Sequence, residues 1–182
     1  MSGATVYIIL FRGVGGATQL PTAKLREKLA EAGFENAGTY INSGNAYLRT
    51  DMPRGEMLEM IAGICKREFG FDKPILARSL AEWRKMIRVN PFPEGEKNGK
   101  TLHAFVLEEA PAADNIARLE ELAVGRERLK LLDKVLYLYL PEGFGTSKLA
   151  ARTDKLLGVT ATARNWNTVL KLRELAEDTA AS

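Results

Sequence analysis

The same order of elements occurs twice in this chain, once on each side of a stretch at residues 90–100 rich in proline, glycine and charge, and this constrains the fold more than any single motif. In the first round, residues 5–11 are a β-branched and aromatic run, apolar on both faces as an interior strand is. A loop at 13–20 leads to a helix opened by Pro21, with Leu25 and Leu29 on one side and Gly33 placed to end it. Strands at 39–41 and 46–49 flank Asn42-Ser43-Gly44-Asn45, a hairpin turn of residues that tolerate positive φ. Met57, Met60, Ile61, Ile64, Cys65 and Phe69 then recur at helical spacing as far as Gly70. A short strand follows at 74–78. Ser79 with Glu82 three residues on is a capping-box signature for a helix that sends Leu80, Trp83 and Ile87 to the core and ends at Asn90-Pro91.

The second round has a strand at 102–107, a helix at 112–123 bearing Ile116 and Leu119, and strands at 128–131 and 135–140. A helix at 147–157 ends at Gly158, a short strand occupies 159–162, and a last helix at 165–177 carries Trp166, Val169 and Leu172 and leaves 178–182 loose. Each half thus reads βαββαβ plus one helix. That is the split βαβ, ferredoxin-like order, so the expected fold class is α+β, with two two-layer halves whose sheets are mainly antiparallel and whose helices lie on one face. The expected division is a first ferredoxin-like half at 1–90, a linker at 91–100 and a second ferredoxin-like half at 101–182 with its C-terminal helix. Internal duplication is inferred from element order, since the halves show no plain residue-by-residue likeness.

Composition narrows the functional classes. With a formal charge of +3, an anionic partner is favoured, but Lys and Arg are interspersed with Glu, as in Lys24-Leu25-Arg26-Glu27-Lys28, the pattern of a solvated helix face. One cysteine, Cys65, excludes an internal disulfide and a multi-cysteine metal site, and the single His103 argues further against metal chemistry. No cofactor is implied. The apolar run at the start is too short for a leader or a membrane span, so a cytoplasmic location is expected.

Two loop clusters are candidates for anion binding. In the first half, Arg12-Gly13-Val14-Gly15-Gly16 lies between a strand and a helix, where unhindered N–H groups can hold an anion, although the spacing matches no nucleotide fingerprint and such glycines ordinarily serve a tight turn. In βαββ order this loop and the 42–45 turn emerge at the same end of the sheet, placing Arg12, Gly15, Gly16, Ser43 and Asn45 on one rim. In the second half, Gly143-Phe144-Gly145-Thr146-Ser147-Lys148 and Ala163-Arg164-Asn165 each precede a helix. Two helix N-termini beside Ser147, Lys148, Arg164 and Asn165 make an anion site, the alternative being ordinary capping by Thr146 or Ser147 and by Asn165. His103 sits in an apolar strand without a neighbouring Ser, Cys or Asp motif and reads as structural. Cys65 lies on the core stripe and reads as inert, and adjacent Glu108 and Glu109 point to opposite faces of an extended chain and read as solvated. Tyr7 and Tyr47 raise the alternative of base stacking on an open sheet face, as in RNA-recognition domains, without the matching sequence pattern.

Several segments together carry a family resemblance: Arg12-Gly13 with Gly15-Gly16 and Leu20-Pro21, Tyr40-Ile41-Asn42-Ser43-Gly44-Asn45, Phe69-Gly70-Phe71, Asn90-Pro91-Phe92-Pro93, residues 143–149, and Arg164-Asn165-Trp166-Asn167-Thr168-Val169. They resemble an uncharacterised, mostly bacterial family known as domain of unknown function 1697. The resemblance implies an α+β fold with repeated βαββ units and no particular activity. This chain departs from the family in one loop, where only Val14 separates Arg12-Gly13 from Gly15-Gly16 in place of three residues.

The first functional reading is therefore a non-catalytic binding protein for a small anionic ligand or a nucleic-acid phosphate. The second is an enzyme acting on an anionic substrate in a cleft between the halves, with Arg12, Lys148 and Arg164 steadying negative charge but no visible nucleophile or general base. The third is a protein–protein interaction module. No catalytic residue and no metal ligand is assigned.

Overall fold

The computed structural model describes residues 3–15, 19–41 and 44–182. Among the described residues it is a mixed α+β structure with two four-stranded antiparallel sheets and six α-helices. The chain divides into two compact units, Met1–Lys85 with Lys171–Ser182, and Met86–Leu170.

The first unit contains β1 (Thr5–Phe11), α1 (Thr22–Glu31), β2 (Glu35–Thr39), β3 (Asn45–Thr50), α2 (Arg54–Phe69) and β4 (Ile75–Ser79). Its strands run β2-β3-β1-β4, and each neighbouring pair is antiparallel. Because side chains alternate along a strand, Tyr7, Ile9 and Phe11 share one face, where they pack with Leu25 and Leu29 of α1 and with Met57, Ile61 and Cys65 of α2. Ile8 and Leu10, on the other face, are fully buried too, which explains why β1 is hydrophobic at every position from Val6 to Phe11. Phe11 meets Phe71 edge-on at 5.9 Å. Gly70 ends α2 in the left-handed conformation expected of a C-terminal glycine. Phe69, expected in the buried stripe, is only partly buried.

One strand of this unit lies elsewhere than expected. Tyr40-Ile41 reads as the end of a strand, yet Ile41 has φ 49° and is half exposed, and the strand occupies Glu35–Thr39 instead. Its sequence, Glu-Asn-Ala-Gly-Thr, lacks apolar alternation, and it pairs irregularly, with a register shift between Glu35 and Gly38 and a positive φ at Asn36. Gly38 is required there because the ring of Tyr47 on β3 lies over it, 2.3 Å from where a Cβ would be.

The second unit contains β5 (Leu102–Leu107), α4 (Ala113–Leu122), β6 (Arg128–Leu132), β7 (Val135–Tyr139), α5 (Lys148–Leu157) and β8 (Ala161–Asn165), with strand order β6-β7-β5-β8, again antiparallel throughout. Phe105 and Leu107 face Leu119 of α4 and Leu149, Ala150 and Leu157 of α5. Residues 91–100 fold with this unit: a 3-10 helix at Pro93–Lys97 follows Phe92, whose ring stacks on Tyr139. The strand expected at 159–162 runs instead through Ala161–Asn165, because Arg164 and Asn165, polar enough to suggest a helix start, still pair with β5.

Helices α3 (Leu80–Arg88) and α6 (Trp166–Ala181) each contain a division between the units. The capping box forms as expected: the Glu82 amide donates to Ser79 Oγ at 3.2 Å and the Ser79 amide to Glu82 Oε2 at 2.7 Å. The tail expected to be loose is helical as far as Ala181, with Thr179 buried and its hydroxyl donating to Leu175 O. Among the described residues no helix is long and apolar enough to cross a membrane.

Candidate functional site

At the first-unit rim the two expected loops do come together. The Phe11 amide donates to Gly44 O at 2.8 Å and the Arg12 amide to Pro74 O at 3.0 Å. Gly44 has φ 85°, and a Cβ there would lie 2.7 Å from Phe11 O and 2.9 Å from Val14 Cγ2, so glycine is needed for the approach. Gly13 and Gly15 also have positive φ. Asn45 is 2% exposed and its Nδ2 donates to Tyr40 O, so its side chain closes its own loop. Arg12 is half-buried, Gly15 is exposed, and Gly16 and Ser43 lie outside the described residues.

Tyr7 and Tyr47 do not form a common platform. Tyr7 lies opposite Leu48 and Tyr47 opposite Ile8, so the two rings project to different faces of the sheet. Tyr7 is buried, and the Arg54 guanidinium is 5.5 Å from its ring centroid.

In the second unit the expected rim divides. Ser147 is the N-cap of α5, with its Oγ accepting from the Ala150 amide at 3.1 Å, and Lys148 is exposed at the first helical position. Asn165 caps α6, its Oδ1 accepting from the Thr168 amide at 3.0 Å. The Trp166 amide donates to Gly99 O, and a Cβ at Gly99 would lie 2.9 Å from the Asn167 amide nitrogen, so the first amide of this helix is already taken by the chain's own backbone. Arg164 lies opposite Ala104, whereas Ala163 lies opposite Phe105 on the face that carries α4 and α5. Alternation therefore sends Arg164 to the sheet face away from α5 and Lys148. Arg164 is 9% exposed, donates to Thr162 Oγ1 and Ala163 O at 2.7 Å each, and is pulled down to a pKa of about 10 by burial.

What lies on the α5 side of the sheet instead is His103. It lies opposite Asn165 on β8 and Leu138 on β7, is 9% exposed, and its Nδ1 is buried with no hydrogen-bond partner. Burial pushes it down to a pKa of about 4, so the ring is neutral at physiological pH. The Phe144 ring covers it, centroid to centroid 4.6 Å and tilted 41°. Phe144 O accepts from the amide of Ser147 at 3.3 Å, so imidazole, aromatic ring and the capped start of α5 form one connected patch. Phe144 is 40% exposed. The sequence signal for it was an aromatic set between two glycines, Gly143 and Gly145, where a loop has no core to send it to. The other buried orphan among the described residues, Trp166 Nε1, belongs to a core ring 6.3 Å from Tyr137.

The model of the family described as "Protein of unknown function (DUF1697)" matches residues 4–137, well over half of the chain. The chain belongs to that family. The match to DUF1697 covers all of the first sheet and most of the second, and the family's description names no activity. The structure titled "The structure of conserved bacterial protein SP0830 from Streptococcus pneumoniae" is similar with a TM-score of 0.72 and 23% identity, over 96% of this chain and 99% of that one, a likeness of fold. Curated proteins offer no match to this member of DUF1697.

Proposed function

We propose that both units are copies of one ferredoxin-like fold, and that the second is a non-catalytic binding unit for a small anionic ligand at the start of α5. Duplication is supported by the matching strand orders β2-β3-β1-β4 and β6-β7-β5-β8 and by one matching row: Tyr47, Ile8 and Arg78 in the first sheet, Tyr137, Ala104 and Arg164 in the second. In both rows the arginine donates to the carbonyl of the alanine before it, at 2.9 Å for Arg78 and 2.7 Å for Arg164.

The binding reading rests on His103. A buried imidazole nitrogen without a partner costs about 1–3 kcal/mol, and Phe144, which covers the ring, links it through its carbonyl to a helix start whose N–H groups and exposed Lys148 favour negative charge. No group among the described residues orients His103 Nδ1 as a general base would need, so binding is preferred to turnover. A small anion is preferred to nucleic acid because Tyr7 and Tyr47 are on opposite faces. A buried, single cysteine suits a cytoplasmic setting. The test is titration of isotopically labelled protein with phosphate, sulfate and small carboxylates. Saturable shifts at the amides of residues 147–150 and at the His103 ring, weakened in Lys148→Ala, are expected. Absence of saturable shifts there with every anion removes the reading.

A further inference from the structure

The two units offer an internal comparison at one end of their sheets. Tyr7 lies opposite Leu48 and Ser79, and His103 lies opposite Leu138 and Asn165, so Tyr7 corresponds to His103 and Ser79 to Asn165. Each of Ser79 and Asn165 caps the helix that follows its strand. Three residues further on, Glu82 corresponds to Thr168. The first residue of the other helix at this end is a cation in both units, Arg54 in α2 and Lys148 in α5.

In the first unit this end is complete in itself. The Glu82 carboxylate accepts from the Ser79 amide at 2.7 Å and from Arg54 Nη2 at 2.8 Å, bridging the two helix starts while Arg54 lies over the Tyr7 ring. A cation at the first position of a helix is disfavoured by the helix dipole, and Glu82 compensates it. In the second unit the compensation is missing. Thr168 has no carboxylate, and among the described residues Lys148 has no ion pair. The loop from the matched row to the helix cap spans 48–53 in the first unit and 138–147 in the second, four residues more, and the added length carries Phe144 over His103.

We infer that the second unit takes a carboxylate from outside, on a small ligand with a flat apolar body, at the place where the first unit carries its own Glu82. The inference rests on the anion site proposed above and names its ligand class. The carboxylate faces the start of α5 and Lys148, and the apolar body lies against the exposed part of the Phe144 ring, whose other contact is the buried His103 ring. A carboxylate suits the place because in the first unit one planar anion meets one amide and one cation there.

The experiment compares benzoate, benzamide and inorganic phosphate on the full chain by calorimetry and by amide shifts. Benzoate is expected to bind with shifts at residues 144–150 and 165, benzamide to bind at least tenfold more weakly, and Lys148→Ala to weaken benzoate by about 3- to 10-fold. Thr168→Glu supplies the internal carboxylate and is expected to abolish benzoate binding while leaving Phe144 in place. Because Thr168 is buried, Phe144→Ala serves as the second variant, expected to weaken benzoate severalfold and to leave phosphate unchanged. Phosphate binding tighter than benzoate at the same amides, or equal binding of benzoate and benzamide, overturns this inference while the anion site stands. Undiminished benzoate binding by folded Thr168→Glu also overturns it. No response to any anion removes both.

Discussion

His103→Leu should make the protein markedly less sensitive to acid. The ring has a pKa of 6.5 when free and is held down to about 4 by burial alone in the folded chain. Between those values the unfolded chain binds a proton that the folded chain refuses. Stability therefore falls as pH is lowered through this window, and the site contributes no slope above the free value or below the folded one. One proton corresponds to 1.36 kcal/mol per pH unit, so the full window amounts to about 3 kcal/mol. His103 is the only histidine, so no other imidazole titrates alongside it. Carboxylates contribute their own slope below pH 5, but equally in wild type and variant, and the difference isolates His103. The assay is urea unfolding at pH 7, 6, 5 and 4, followed by the fluorescence of buried Trp83 and Trp166. The stability difference between His103→Leu and wild type should move by about 3 kcal/mol toward the variant from pH 7 to pH 4. A difference that does not change with pH would refute the burial of a neutral imidazole.

Ile64 is 5% exposed on the α2 core stripe, and Ile64→Ala should cost about 2–5 kcal/mol in chemical unfolding. Gly44→Ala forces a Cβ against Phe11 O at a φ of 85° and should cost about 1–3 kcal/mol, read as a lowered midpoint with unchanged slope. Glu82→Ala removes the reciprocal cap and the Arg54 pair. The pair is more than a third exposed and screened, so the loss should be about 1–2 kcal/mol at pH 7, measured by thermal unfolding. Burial raises the Cys65 thiol to a pKa of about 11, and a thiol reagent should label native protein far more slowly than urea-unfolded protein.

Where local chemistry and tertiary packing agreed, the sequence was readable. The apolar run of β1, the stripe of α2 with Gly70 behind it, and the Ser79–Glu82 box each have one physical explanation, and the structure uses it. Strand β2 is not legible in the sequence because its pairing is enforced by the neighbouring strand rather than by its own side chains, while Tyr40-Ile41 mimic a strand where the backbone turns through positive φ. The site was only partly legible. Ser147 and Lys148 announce a helix start, but the face on which Arg164 lies depends on the register of β8 against β5, which a single sequence does not reveal. His103 has no sequence neighbour of matching chemistry to mark it. Its relevance comes from Phe144, more than 40 residues along the chain.

Residues 171–182 belong to the unit that begins at the other end of the chain. Within it, Leu172 and Ala176 are fully buried, Arg84 pairs with Glu177 at 3.0 Å, and Arg49 donates to Ser182 O at 3.1 Å. During synthesis the first sheet and its two helices leave the ribosome early, yet the surface that this last segment covers has to wait, exposed, until all of the second unit has been made. The second unit, contiguous from Met86 to Leu170, has no such delay. Despite similar layouts, the two units should thus differ in when they mature, with the earlier one relying on transient protection of its apolar surface in the cell.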